Sequence, residues 1–357
     1  MTTKRHAAVA PRKNSDTTLV AEVRALIVSA RQIVSTAVNA ALTTLHWQIG
    51  RRIRRDILRE KRAGYGEEIL HTLSTKLSAE FGRGFSKRNL AWMVRFSELF
   101  PDKKIVQTLS GELGGSHFRE LLPLHKPHQR DFYAEMCRLE RWSVRTLRRQ
   151  IDGMLYERTA LSKKPAKLIE KELAALRTDG KLTPDLVFKD PYVLDFLGLR
   201  DTYSEKDLET AILRDIERFL LELGAGFAFV ERQKRIVIDG EDFHLDLLLF
   251  HRRLRRLVLV ELKLRAFRAA DFGQTTLYLR WLDRHERQPG EEPPIGLILC
   301  GGKADERIEL LELESSGIRV AQYLTELPPK EILERRFHEA IVAARARLAA
   351  GTGDPSP

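Results

Sequence analysis

The chain has 357 residues, 43% of them apolar, and a formal net charge of +11, with a pI near 9.7. That length and apolar share can supply the cores of two domains, and the charge favours a polyanionic partner such as nucleic acid. Cys137 and Cys300 lie far apart with no Cys or His at ligand spacing, which excludes a zinc set and a disulfide framework; a Gly-rich nucleotide loop and a nucleophile elbow are also missing.

In chain order, residues 1–16 read as a disordered basic arm. Residues 17–158 read as a mostly α-helical domain. Its first helix runs from Leu19 to about Arg62, with Val23, Leu26, Ile27, Ile33, Val34, Val38, Leu42, Leu45 and Ile49 at helical spacing. Arg51, Arg52, Arg54 and Arg55 make its distal half basic, as a solvated face or as one that contacts phosphates. Tyr65 to Phe81 forms a second helix. A Gly-containing turn then leads to Ser86, an N-cap for Lys87 to Leu99. Leu90, Met93 or Val94, and Phe96 or Leu99 form the buried side of this third helix. Lys87, Arg88, Asn89, Trp92 and Arg95 crowd its other side, as in a helix-turn-helix reader of DNA or in an ordinary helical bundle.

Residues 159–190 read as a charged linker broken at Asp-Gly and Thr-Pro, followed by an α/β domain over 191–327. Apolar positions 208, 212, 216, 219, 220 and 223 predict an amphipathic helix over 204–223, ended by Gly224, with Glu209 beside the apolar stripe. Gln233 falls in the next strand and is a weaker candidate for the same polar pocket. Residues 243–250 and 256–264 predict a β-hairpin. If Arg253 and Leu254 close it, Asp246 lies opposite Glu261, and alternation puts Glu261 and Lys263 on the face of Asp246.

Opposed carboxylates repel, by about 1 kcal/mol when exposed and more when buried. A divalent cation offsets that repulsion, and oxygen ligands suit Mg²⁺, with Mn²⁺ as an alternative. Lys263 would stand where it could orient or deprotonate water, or stabilise charge on a phosphate. A solvated cluster of charges is the plainer reading, but it leaves the flanking Val, Leu and Phe unexplained. A helix follows from about Ala270, with Phe272, Leu277, Leu279 and Trp281 expected to be partly buried and Gln274 and Tyr278 on one face. A short helix at 306–313, a last strand at 317–323, a terminal helix over 328–350 and a disordered tail at 351–357 complete the order.

Asp246, fourteen residues, then Glu261-x-Lys263 resembles the core motif of the PD-(D/E)XK nuclease superfamily. Phe227 to Leu254 and Pro293 to Cys300 look like the nuclease domain of the bacterial YhcG family. The resemblance implies a restriction-endonuclease-like domain with a mixed central sheet flanked by helices, and metal-dependent hydrolysis of nucleic acid, most simply DNA. It further implies that Asp246 and Glu261 hold the metal, that Lys263 positions the nucleophile, and that Glu209 and Gln274 support the site with Tyr278 nearby.

Leu45 to Ile53, Phe81 to Leu90 and Trp142 to Leu147 are similar to the same family's N-terminal domain, which implies a DNA-binding accessory role. Where that family carries Trp-Ser-His, this chain has Gly114-Gly-Ser-His117, so His117 remains only a weak binding candidate. The expected protein is thus α+β with two domains. A nuclease fold without its chemistry, serving only to bind or scaffold nucleic acid, is the alternative. Cytoplasm is the simplest compartment. No apolar run reaches the ~18 residues of a membrane span, so no membrane is expected, and a homodimer would bring one site to each strand of a duplex.

Overall fold

The computed structural model describes residues 13–59, 65–199, 203–302, 316–325 and 330–351, with the single positions 308, 311 and 313. The expected arm up to residue 12, most of the expected helix at 306–313 and the tail from 352 lie outside the described residues; residues 13–16 are helical. Contacts divide the chain into one unit of Met1–Arg130 with Met136–Leu147 and a second of Asp131–Glu135 with Arg148–Pro357.

The first unit begins with α1 (Lys13–Arg59), followed by α2 (Tyr65–Phe81), a 3₁₀ turn at Arg83–Phe85, α3 (Lys87–Leu99), α4 (Lys103–Ser110) and α5 (Gly115–Leu121). Ser86 caps α3 by accepting a hydrogen bond from the Asn89 amide at 3.4 Å, and Leu90, Met93 and Phe96 become its buried side. The distal half of α1 packs on α3 through Trp47 and Ile53, and the Trp47 indole donates to the Phe100 carbonyl at 2.7 Å. Gly50 permits that approach, because a Cβ there would lie 1.8 Å from the Met93 carbonyl oxygen. Gly50→Ala should therefore cost about 3 kcal/mol or more, the upper range for overpacking. Urea unfolding followed by tryptophan fluorescence would measure it, and a loss under ~1 kcal/mol would contradict the packing.

The proximal half of α1 behaves differently. Every residue from 21 to 35 is exposed, including Val23, Leu26, Ile27, Val28, Ile33 and Val34. The expectation about membrane-length apolar runs also needs correcting. By length and composition a window within Ala21–Ile57 is apolar enough to span a bilayer: residues 32–50 carry no Asp, Glu, Lys or Arg, while Arg31 and Arg51 bound them and Glu22 and Arg24 charge the start of the stretch.

The remaining helices are α6 (Pro127–Glu140), α7 (Val144–Asp152), α8 (Leu155–Arg158), α9 (Ala166–Asp179), α10 (Pro184–Val187), α11 (Glu205–Arg214), α12 (Ile216–Leu223), α13 (Ala269–His285) and α14 (Lys330–Gly351). The strands are β1 (Tyr192–Val193), β2 (Phe227–Ile238), β3 (Glu241–His251), β4 (Arg256–Ala266), β5 (Ile295–Gly302) and β6 (Ile318–Leu324). They form one mixed sheet in the order β1-β6-β5-β4-β3-β2. The β2–β3 and β3–β4 pairs are antiparallel, while the β4–β5, β5–β6 and β6–β1 pairs are parallel.

Leu248, Leu257, Leu259, Tyr278, Leu279, Leu282, Ile298 and Ile318 share the core between the sheet and α13. Within α13 the helical phase turns Tyr278 inward and leaves Leu277 exposed, the reverse of the burial expected for Leu277. The single helix expected over 204–223 is broken at Asp215 into α11 and α12.

The segment 159–190 is structured, where a linker was expected. A 3₁₀ turn at Ala160–Lys163, α9 and α10 bury Leu161, Ile169, Leu173, Leu176, Leu186 and Val187. Its charges are paired inside the second unit: Lys163 with Asp190 at 2.9 Å, and Lys164 with Glu172 at 2.8 Å and with Asp185.

The β3–β4 turn holds a titratable core residue. His251 is buried, its Nδ1 accepts from the Leu254 amide at 3.0 Å, and burial, aided by Arg253 and Arg256, lowers its pKa to about 4. The unfolded chain takes up this proton at ordinary histidine pH and the folded chain does not. The stabilising effect of the neutral ring is therefore complete above about pH 6.5 and fades as pH falls toward 4, amounting to ~3 kcal/mol. His251→Asn should flatten the pH dependence of the unfolding midpoint in that window, and equal slopes in the two proteins would refute the assignment.

Candidate active site

β3 and β4 pair as Leu247 with Val260, Leu248 with Leu259 and so on to His251 with Arg256. This is the expected register, closed by a turn at 252–255 that is longer than the two residues expected; Arg255 there adopts a left-handed φ of 51°. The ladder stops one pair short of Asp246 and Glu261. There the Asp246 carboxylate takes the place of a carbonyl: its Oδ2 accepts from the Leu262 amide at 2.8 Å. Its Oδ1 accepts from the Gln233 side-chain amide at 3.1 Å, and the same Gln233 nitrogen donates to Glu209 Oε2 at 3.0 Å. Gln233 thereby ties the carboxylate of α11 to that of β3. Its backbone sits at a φ of 44°, which is strained for a side chain of this kind.

Glu261 is 2% exposed. Its Oε2 lies 3.2 Å from the Lys263 ammonium, and among the described residues its buried Oε1 has no hydrogen-bond partner. Burial first, then the Asp246 charge, push its pKa up to about 7 against the pull of Lys263. Burial would lower the pKa of Lys263, but the Glu261 and Asp246 carboxylates outweigh it and hold the ammonium above its ordinary range. Glu209 is also raised, by burial and then by Asp246.

Asp246, Glu209 and Gln233 border an open cleft of about 550 Å³ that Glu205, Lys206, Thr210, Arg232 and Leu262 complete. Sequence reading passed over Glu205, although it precedes Glu209 by one helical turn; its carboxylate accepts from the Leu264 amide at 3.1 Å and secures α11 to β4. It also passed over Lys206 and Arg232, which give the cleft its basic edge.

Tyr278 is buried against Phe243, and Gln274 donates to its hydroxyl at 2.6 Å. The Glu261, Lys263 and Asp246 charges all act on the Tyr278 hydroxyl. The site thus gathers Asp246, Glu261, Lys263, Glu209 and Gln233, with Tyr278 and Gln274 beside it.

The binding candidates of the first unit are more dispersed. Lys87 pairs with Glu67, and Arg95 with Glu98 at 3.2 Å. Arg88 is exposed on α3. Asn89 donates to the Gly84 carbonyl at 3.1 Å and accepts from Arg119 at 3.1 Å, so its amide is engaged in holding the turn. His117 accepts from the Gly114 amide at 3.1 Å through Nδ1, which leaves Nε2–H to donate to the Trp142 carbonyl at 3.0 Å. Both ring nitrogens of His117 are therefore used within the fold.

Among the described residues no three His, Cys, Asp or Glu side chains form a ready metal cage. Even so, the donor chemistry at Asp246 and Glu261 fits a hard cation. Two carboxylates raise each other's energy, and one buried oxygen lacks a donor, a cost that a cation completed by water and phosphate oxygens would remove.

Residues 185–338 match the family described as YhcG PDDEXK nuclease domain, and residues 22–158 match the DUF1016 N-terminal domain. The chain is 36% identical to "Putative nuclease YhcG" of Escherichia coli (strain K12), over 91% of its own length and 93% of that protein. Among solved structures, the crystal structure of a repair endonuclease from Pyrococcus abyssi aligns at 22% identity and a TM-score of 0.25, over 36% of this chain and 50% of that one. With both regions matched and a relative aligned nearly end to end, the chain belongs to the YhcG family, a DUF1016 N-terminal domain followed by a PDDEXK nuclease domain.

Proposed function

We propose that the protein is a divalent-metal-dependent endonuclease that hydrolyses phosphodiester bonds in DNA. The observation that carries this reading is the buried Glu261 carboxylate, with its partnerless Oε1, set between Asp246 and Lys263 beside a basic-edged cleft. Asp246 and Glu261 would hold Mg²⁺ or Mn²⁺, which supplies Lewis acidity toward the phosphodiester and lowers the pKa of water.

The chain's own residues do the rest. The Leu262 amide and Gln233 fix the Asp246 carboxylate, so its orientation is set before substrate arrives. Lys263, donor-only as an ammonium, orients the attacking water and stabilises charge developing on the phosphate. Lys206 and Arg232 attract the phosphate backbone, in keeping with the net charge of +11. Cys137 and Cys300 are buried thiols, which suits a reducing compartment such as the cytoplasm.

The test is a panel of labelled duplex, single-stranded, flap and junction DNA, with matched RNA, incubated with the full chain in Mg²⁺, Mn²⁺ or a chelator. Cleavage of DNA that the chelator abolishes is the expected result. Metal-independent cleavage would remove the metal role, preferential cleavage of RNA would replace the substrate, and binding to every substrate without cleavage would favour the binding-only alternative.

A further inference from the structure

The proximal half of α1 is an apolar helix that no described part of the chain covers. Leu26 is 71% exposed, Ile33 66% and Val34 62%, and Val23, Ile27, Val38, Leu42 and Leu45 are each more than two-fifths exposed. Those of these side chains that share one face, with the exposed Ala30, Ala37 and Ala41, present on the order of 800 Å² of apolar surface, about one partner's share of a standard protein–protein interface, whereas the largest patch on a typical monomer is about 300–600 Å². A bare helix of this kind is marginal in water, because most helical stability comes from burying an apolar face.

The shape of the face indicates what covers it. At 3.6 residues per turn, positions 23, 26, 27, 30, 33, 34, 37, 38, 41 and 45 fall within an arc of roughly 140°. The opposite side carries Ser29, Gln32, Thr36 and Asn39 in the exposed part of the helix, with Val28 as its one large apolar side chain there; Thr43, further along, is buried within the unit. Lipid surrounding the helix would have to accommodate that polar side and Arg31, whereas a single partner helix covers the stripe and leaves the polar side in water.

The stripe is also self-complementary about Val34. In an antiparallel pair centred there, Val23 meets Leu45, Ile27 meets Ala41, Ala30 meets Val38, and Val34 meets its own copy. Large side chains therefore face small ones at the two positions flanking the centre, as close packing requires.

We infer that α1 is a homodimerisation helix, pairing antiparallel with a second copy of the chain through the stripe from Val23 to Leu45. The inference does not depend on the nuclease reading, and its failure would leave that reading untouched. Light scattering on the full chain at micromolar concentration should give twice the 41.0 kDa chain mass. Val34→Glu should raise the dissociation constant at least tenfold.

Disulfide trapping keeps the test independent of that variant's folding. Val34→Cys should form a covalent dimer on mild oxidation and Gln32→Cys should not. Ile27→Cys should cross-link to Ala41→Cys in a mixture but not to itself. A monomer at tens of micromolar overturns the proposal, as does self-cross-linking of Ile27→Cys, which would mean parallel pairing. A monomer that co-sediments with phosphatidylcholine–phosphatidylglycerol vesicles, and loses that binding on Val34→Glu, overturns it in favour of a lipid surface.

Discussion

Lys263→Met and Asp246→Asn are each expected to lower the rate of DNA cleavage by about 10²–10⁴-fold, the range for loss of a positioned acid–base or charge-stabilising group. Asp246→Asn keeps the side chain's size and an oxygen for the Leu262 amide, and it removes both the charge and the acceptor that Gln233 uses. Lys263→Met keeps the length and apolar stem of the side chain and removes the ammonium that faces Glu261. Activity is therefore expected to fall in both, and Lys263→Met should also lower the unfolding midpoint, because it leaves the buried Glu261 without its countercharge.

Glu261→Gln should lose activity to the same extent and gain stability. A carboxylate whose pKa is raised to about 7 by burial and by Asp246 opposes folding at neutral pH. Neutralising it in the metal-free protein should return ~1–3 kcal/mol. Single-turnover cleavage and thermal unfolding of the three variants are the measurements. Rates within threefold of the parent for all three would mean that the chemistry lies elsewhere.

The centre of this site was legible in the sequence because a hairpin is a local object. Alternation fixes which side chains share a face, so Asp246, Glu261 and Lys263 could be placed together from spacing. The observed pairing of Leu247 with Val260 continues to that same juxtaposition. Gln233 was harder to see. It joins Glu209 to Asp246 only because β2 slips between Phe229 and Glu231 and takes a left-handed backbone at Gln233 itself, and neither follows from residue type.

Periodicity failed in a different way for α1. Apolar spacing states which face wants cover, and it cannot tell a face buried by its own chain, as at Trp47 and Ile53, from one left open, as at Leu26 and Ile33. The 159–190 segment looked like a linker because its lysines are dense. Their partners, Asp185 and Asp190 among them, become visible only once the turn and short helices fold back on one another.

The last of those lysines leads to the largest expected loss of stability, on replacing Glu222 by Ala. Glu222, at the end of α12, accepts from the Arg158 guanidinium at 2.5 Å and from the Val193 amide at 2.9 Å, and its second oxygen lies 3.7 Å from the Lys189 ammonium. Arg158 and Lys189 are both buried, so removing the carboxylate strands two positive charges away from water. Breaking a buried pair in this way costs ~3–5 kcal/mol. Burial already draws Lys189 down to about 8 even with Glu222 opposing it, and without Glu222 it should fall further. The folded variant then loses this proton at a pH where the folded parent keeps it, so its deficit should shrink as pH rises from the variant's lowered Lys189 value to about 8 and hold steady above, where both respond alike. Lys189→Met added to Glu222→Ala should recover part of the loss, a coupling that distant sites would not show. Urea unfolding at pH 6 and pH 9 separates the possibilities: a loss below ~1 kcal/mol, or one that does not vary with pH, would mean that Lys189 and Arg158 are not held by Glu222.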